Sequence, residues 1–390
     1  MSNDKNSPVT AIVNTKLIME DGIIWDGALT YADGKIVQCG WASDVEIPES
    51  AARVDAGGLY TAPGFVDVHN HGGDGAWFYL EPERASEFFI RHGQTTVLPA
   101  LYYNLSRDDM IQGADRIRRC SESGAGRIIA GLYMEGPYMN TAYGSDNNNI
   151  KWKENISPDE YAELVDFIGD FAKVWCVDPE RRGIEGFMQY ARSVNPGAVF
   201  SIGHSIAPAE IIRPLKKYGL CNETHHCNNG VPAGLARGTK GAGPDEFCLY
   251  DDDIYAELIC DTQGIHVRPY MLRLIVRIKG TDRIILITDS CPFGGRARPG
   301  VAQAPDLGYD SEGHLAGSKL TMDQACRNMM KHTAYGLCHV VKFATINPAR
   351  MARLDHEVGS LEPGKTANII IIDDMINIKK VIFRGEEFGL

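Results

Sequence analysis

From residue 63 to residue 288 the chain alternates short, continuous apolar runs with longer stretches whose apolar residues recur at helical spacing. The runs at 65–68, 95–100, 128–134, 174–177, 198–202, 221–224, 255–259 and 284–288 read as buried strands. Between most of them lie helical patterns: 83–92, with Phe88 and Phe89 on its apolar side, 108–122, rich in Arg, and a helix opening at Ser157-Pro158, with Ser as cap and Pro in the first position. A further helix is expected over 322–335. Repeated strand–helix alternation of this length predicts a parallel sheet, and about eight units favour a closed (β/α)8 barrel. An open doubly wound sheet is the rival, but no G-x-G-x-x-G opens a helix after the first strand.

The two ends of the chain have a different texture. Apolar segments at 11–13, 22–25 and 35–39 are punctuated by Asp-Gly pairs at 21–22, 26–27 and 33–34, which read as hairpin turns. Strand-like runs return at 368–373 and 380–384. Neither end can bury much alone, so the two are expected to pair into one small sheet domain.

Composition narrows the function classes. The 390 residues are 44% hydrophobic and 23% charged, an ordinary globular balance. The net charge of -12 argues against nucleic acid or an anionic membrane as partner. It leaves room for a small anion held by a local Arg or a helix N-terminus. Residues 1–10 are polar and no apolar run is long enough to span a bilayer. The ten Cys are scattered without a Cys-x-x-Cys pair, so a cytoplasmic protein with reduced thiols is expected. Cys221 and Cys227 flank His225, but a free Cys is most often a small buried apolar residue.

The candidate chemistry sits just after the apolar runs. His69 and His71 follow Val68; alternate residues of an extended chain share a side, so both imidazoles can aim at one point, and Gly72-Gly73 allows a close backbone approach behind them. Glu135 follows Met134, His204 follows Gly203, His225 follows Thr224 and Asp289 follows Thr288. In a barrel all of these reach the mouth at the C-terminal face. Four His, one Glu and one Asp suit one or two divalent metal ions. Each has a plainer role open to it: a turn cap for Glu135, a satisfied core histidine for His204 or His225, a helix cap for Asp289. Their shared position in the repeat favours a site. His226 is expected to point away, and His92, His314, His332, His339 and His356 fall on helices or turns.

Taken with Pro63-Gly64-Phe65-Val66-Asp67-Val68-His69-Asn70-His71-Gly72, the stretches 134–140, 203–205, 224–228, 264–266, 287–289, 315–318, 347–350 and 359–368 resemble, in order, the amidohydrolase superfamily. Within it they resemble the N-acetylglucosamine-6-phosphate deacetylase family. That resemblance implies a (β/α)8 TIM-type barrel over 62–345 and a small β-sandwich domain built from 1–61 and 346–390. It implies Glu135, His204 and His225 as ligands of one metal ion, with His69 and His71 completing a second site bridged by the Glu. It implies Asp289 as general base and acid, His266 as a substrate contact, and Asn228 and Asn229 lining the sugar pocket. The ions would be zinc or iron. Residues 141–148 and 235–241 depart from the family pattern; Arg237, with Lys240 beside it, is the counterpart of the phosphate-holding Arg. The expected activity is removal of the acetyl group from N-acetylglucosamine-6-phosphate or a close N-acetyl amino-sugar phosphate, by a homodimer. The alternatives are an amidohydrolase for an unphosphorylated or cyclic amide, and a non-catalytic sugar-binding barrel.

Overall fold

The computed structural model describes residues 8–145, 147–153, 155–229 and 241–389. Eight parallel strands follow one another around a barrel in chain order: Phe65–Asn70, Gln94–Tyr102, Leu132–Glu135, Ala172–Val177, Val199–Ile202, Leu220–Glu223, Tyr255–Ile259 and Ile284–Ile287. Strictly sequential pairing excludes the doubly wound order. The last strand closes on the first through residues at the mouth. Asp289 N donates to His69 O at 3.0 Å and His71 N to Ser290 O at 3.0 Å. One turn deeper, Thr288 Oγ1 donates to the buried Asp67 carboxylate at 2.6 Å.

Helices form the outer layer because their apolar residues return every three or four positions. Pro82–Arg91 buries Ala85, Phe89 and Ile90. Arg107–Cys120 buries Met110, Ala114 and Ile117, and a Ser106–Asp109 capping box satisfies its first turn. Ser157 precedes the helix Pro158–Ile168 with Pro in the first turn as expected, but its side chain makes no capping bond. The expected strand over 128–134 is shorter. Gly124–Ile128 forms a 3-10 turn, and the strand runs over Leu132–Glu135. Between them Ile129 makes an isolated parallel bridge to Val97 of the second strand.

Both ends of the chain contribute to a second sheet of eight strands. Its order runs from Glu386–Phe388 through Ile378–Phe383, Ile369–Ile372, Tyr60–Pro63, Thr10–Ile18 and Ile23–Ala32 to Lys35–Trp41, with Ala52–Asp55 beside Thr10–Ile18. The sheet folds over on itself. Ile36 N donates to Lys365 O at 2.9 Å and Ala367 N to Gly34 O at 2.8 Å, which encloses Ile12, Leu17, Leu29, Ile369, Ile371 and Ile382 in a core of their own. The sandwich is thus one curled sheet. Asp26-Gly27 is not a turn but lies inside Ile23–Ala32. A Cβ on Gly27 would stand 2.5 Å from Leu17 Cγ, so the glycine is there for packing. One element crosses the expected domain division and another packs on the far side of it. Tyr60–Pro63 pairs with Ile369–Ile372 as far as Pro63, and helix Ile346–Met351 packs on the first and last barrel strands. No helix among the described residues is long and apolar enough to cross a membrane.

Candidate active site at the barrel mouth

The strand ends deliver their polar residues into one cavity of about 410 Å³. His204, His225 and Asp289 each take a left-handed backbone, with φ of 46°, 31° and 45°. Such φ values are uncommon outside glycine and cluster at functional sites, where surrounding structure holds them. Here each bends the chain as it leaves its strand and turns the side chain inward. His69 and His71 stay on the extended first strand and its exit, two residues apart and on one side. Gly72 lets that exit pass the next hairpin: its φ is 146° and a Cβ would stand 2.1 Å from Ala76 O.

Two donor groups result, both buried: Glu135 with His204 and His225, and His69 with His71 and Asp289. In the first, Glu135 Oε1 lies 2.9 Å from His204 Nε2 and 3.4 Å from His225 Nε2, and the two nitrogens are 3.2 Å apart. Bonds of 2.0–2.2 Å to a tetrahedral ion require donors roughly 3.3 Å apart, so the three donors already span the edges of such a site. In the second group, Asp289 Oδ1 lies 3.3 Å from His71 Nε2 and 3.8 Å from His69 Nε2. Glu135 faces both groups, with Oε2 3.4 Å from His71 Nε2. His69 Nε2 is buried and has no hydrogen-bond partner among the described residues, an orphaned donor atom facing two carboxylates. The residues therefore fit two divalent ions with Glu135 between them.

Electrostatics agree. Burial pushes against ionisation of Glu135, but hydrogen bonds from His204 and His225 outweigh it and hold the carboxyl well below the usual range. Asp289 is likewise held down, burial being overcome by His71 and His69. Both carboxylates are anions where a cation would need them.

The other expected residues are placed as follows. His266 lines the cavity; Asp261 holds its Nδ1 at 3.2 Å and Gly317 O faces its Nε2 at 3.2 Å. Asn228 also lines it, tied through Nδ2 to His266 O at 2.8 Å, while its buried Oδ1 has no hydrogen-bond partner among the described residues. Asn229 does not line it. Its Oδ1 accepts from His204 N at 2.7 Å and its Nδ2 donates to Thr224 O at 2.9 Å, so it clamps the bent backbone of His204 instead. Arg237 and Lys240 lie outside the described residues. His226 does turn away from the mouth. His314, set aside in the sequence, sits on the cavity rim against Arg298, brought there by the hairpin of Leu307–Tyr309 and Leu315–Ser318.

Several participants carry no motif. Glu257, in the middle of the seventh strand and fully buried, sits 3.4 Å from His69 Nδ1 and accepts from Asn222. Tyr133 stacks on the His69 ring at 4.3 Å. Trp77 stacks on Tyr102 at 5.6 Å and meets Phe293 edge-on, forming an aromatic wall. The buried acid inside an apolar strand was the one available signal for Glu257.

The Amidohydrolase family model matches residues 60–388. N-acetylgalactosamine-6-phosphate deacetylase of Escherichia coli O157:H7 is 29% identical over 388 residues, covering 95% of this chain and 97% of that protein. Among solved structures, N-acetylglucosamine-6-phosphate deacetylase from Thermotoga maritima superposes with a TM-score of 0.80 at 27% identity, covering 97% of this chain and 99% of that one. The corresponding enzyme from Pasteurella multocida reaches a TM-score of 0.85 at 24% identity, over 98% and 100% of the two chains, which shows the shared fold.

Proposed function

The chain belongs to the metal-dependent amidohydrolase family, and from that premise we propose that it hydrolyses the acetamide of an N-acetylhexosamine 6-phosphate, N-acetylglucosamine-6-phosphate or its galactosamine epimer. One observation supports the reading: Asp289 shares a cavity with Glu135, His204 and His225, so a carboxylate able to act as base stands beside a triangle able to hold a metal ion. The relatives named above, which span nearly the whole chain, supply the substrate class.

A divalent ion at these donors, zinc or iron by ligand type, would lower the pKa of a water molecule and stabilise negative charge on the substrate oxygen. The remaining work falls to the chain's own groups. Asp289 removes a proton from the attacking water and returns it to the amide nitrogen as the C–N bond breaks. The water oxygen ends in acetate and the proton on the free amine. His266, held by Asp261, orients or polarises the acetyl carbonyl. Asn228 offers its unpartnered Oδ1 to a sugar hydroxyl, and the Trp77–Tyr102–Phe293 wall excludes water beside His71. Arg237 is assigned to the phosphate.

The test is acetate release from both epimers, each with and without the 6-phosphate, using metal-loaded protein. Turnover of the phosphorylated sugars is expected, at least tenfold better in kcat/KM than of the free sugars. Arg237→Ala should narrow that gap by raising KM for the phosphates only. Absence of acetate from all four sugars would leave another amide as substrate. The same reading carries a homodimer in the cytoplasm, checked by sedimentation and fractionation.

A further inference from the structure

Behind the barrel mouth the chain carries a second set of metal-type donors. Consecutive residues at the end of the sixth strand face opposite ways: His225 into the cavity, His226 out toward helix Pro244–Tyr250. There His226 Nδ1 contacts the Glu223 carboxylate and lies 3.8 Å from Asp245 Oδ1. Glu223, His226 and Cys248 place one donor each within 4.8 Å of one another, and so do His226, Cys227 and Asp245. Glu223, His226 and Cys248 have no exposed surface. Asp245 is one-third exposed in its side chain, at 34%, which leaves a way in.

Two carboxyl groups meet the same buried imidazole. Burying one carboxylate against another is costly unless a proton or a cation lies between them. Among the described residues, no Lys or Arg forms an ion pair with Glu223 or Asp245, and His226 is their one basic contact. Lys279 lies nearby, but its Nζ donates to the carbonyls of Cys248 and Asp251, at 2.9 and 2.7 Å. His226 Nε2 is itself buried without a partner among the described residues. Carboxylate, imidazole and thiol together are a donor set for a borderline-soft divalent ion rather than for magnesium or calcium.

We propose that Glu223, His226 and Cys248 bind a zinc-class ion at a site separate from the barrel mouth. The ion would tie the end of the sixth strand to the helix after it, fixing the backbone that presents His225 and Asn228. Because these donors have no exposed surface and lie behind the mouth, the ion's role is structural.

Sulfur distinguishes this site from the mouth, where the donors are nitrogen and oxygen. Protein produced with cobalt(II) in place of zinc should show thiolate-to-cobalt charge-transfer absorption. The band should vanish in Cys248→Ser, with metal content lower by one ion per chain, and should survive in Cys291→Ser, whose thiol lines the mouth. No thiolate band in the unmodified cobalt protein would overturn the proposal without recourse to any variant. Persistence of the band in folded Cys248→Ser would overturn it equally.

Discussion

His204 and His225 point their Nε2 atoms at each other across 3.2 Å, with Glu135 Oε1 closing the triangle. A cation shared by the three donors would take a lone pair from each Nε2 in place of the proton between them. His204→Ala or His225→Ala should therefore remove one ion per chain. Activity should fall by more than the ~10–100-fold that loss of an outer-shell partner costs a metal site. Elemental analysis after dialysis, with circular dichroism to confirm folding, checks it; full metal content in both variants would separate these histidines from the ion.

Asp289 stands apart from that triangle, nearest to His71 at 3.3 Å. Asp289→Asn keeps an oxygen near the histidines but cannot take a proton. The expected result is a kcat lower by ~10²–10⁴-fold, with KM little changed and the Glu135–His204–His225 ion retained. The rise of kcat with pH that reports a base should flatten as well. Ordinary turnover in the variant would assign the proton transfer to another group.

Much of this was legible because two periodicities are visible in the chain. The alternation of apolar runs and helical patterns marks the barrel, and a polar residue just past five of the runs marks its mouth. What stayed hidden is what sequence spacing cannot encode. Glu257 lies 188 residues from His69, which it meets at 3.4 Å only because the barrel closes. Asn229 neighbours Asn228, yet after the left-handed bends at His225 and Cys227 one faces the backbone of His204 and the other the cavity. Gly27 follows an Asp and mimics a turn, but the size of Leu17 opposite it explains the glycine. The rim at His314 depends on a hairpin that leaves the barrel after its last strand.

Glu257 is the clearest test of those hidden contacts. Its Oε2 faces His69 Nδ1, fixing the ring so that Nε2 aims between Glu135 and Asp289. Glu257→Gln should weaken the ion held by His69 and His71 by ~10–100-fold, while the ion at His204 and His225 is held as before. Chelator competition, read as two separate dissociation steps, checks this. Equal weakening of both ions would mean that the substitution acts through the barrel as a whole.

Asp178 gives a stability prediction away from the metal donors. It is buried and accepts from Ser205 Oγ at 2.6 Å and from Glu180 N at 3.1 Å. Burial is the main influence on its carboxyl and pushes it up from 3.8 to about 6. The folded protein therefore holds a proton there, between those pH values, that the unfolded chain has released. Stability falls as pH rises through that window and levels off above it. Asp178→Asn keeps an acceptor for both hydrogen bonds and carries no charge to bury. The two proteins should thus be similar near pH 4, and the Asn form should gain about 1–3 kcal/mol relative to the parent by pH 7. Urea unfolding across pH 4–8 measures the difference. A difference independent of pH would show that Asp178 is ionised in the fold as easily as in water, and that its partners cancel the effect of burial.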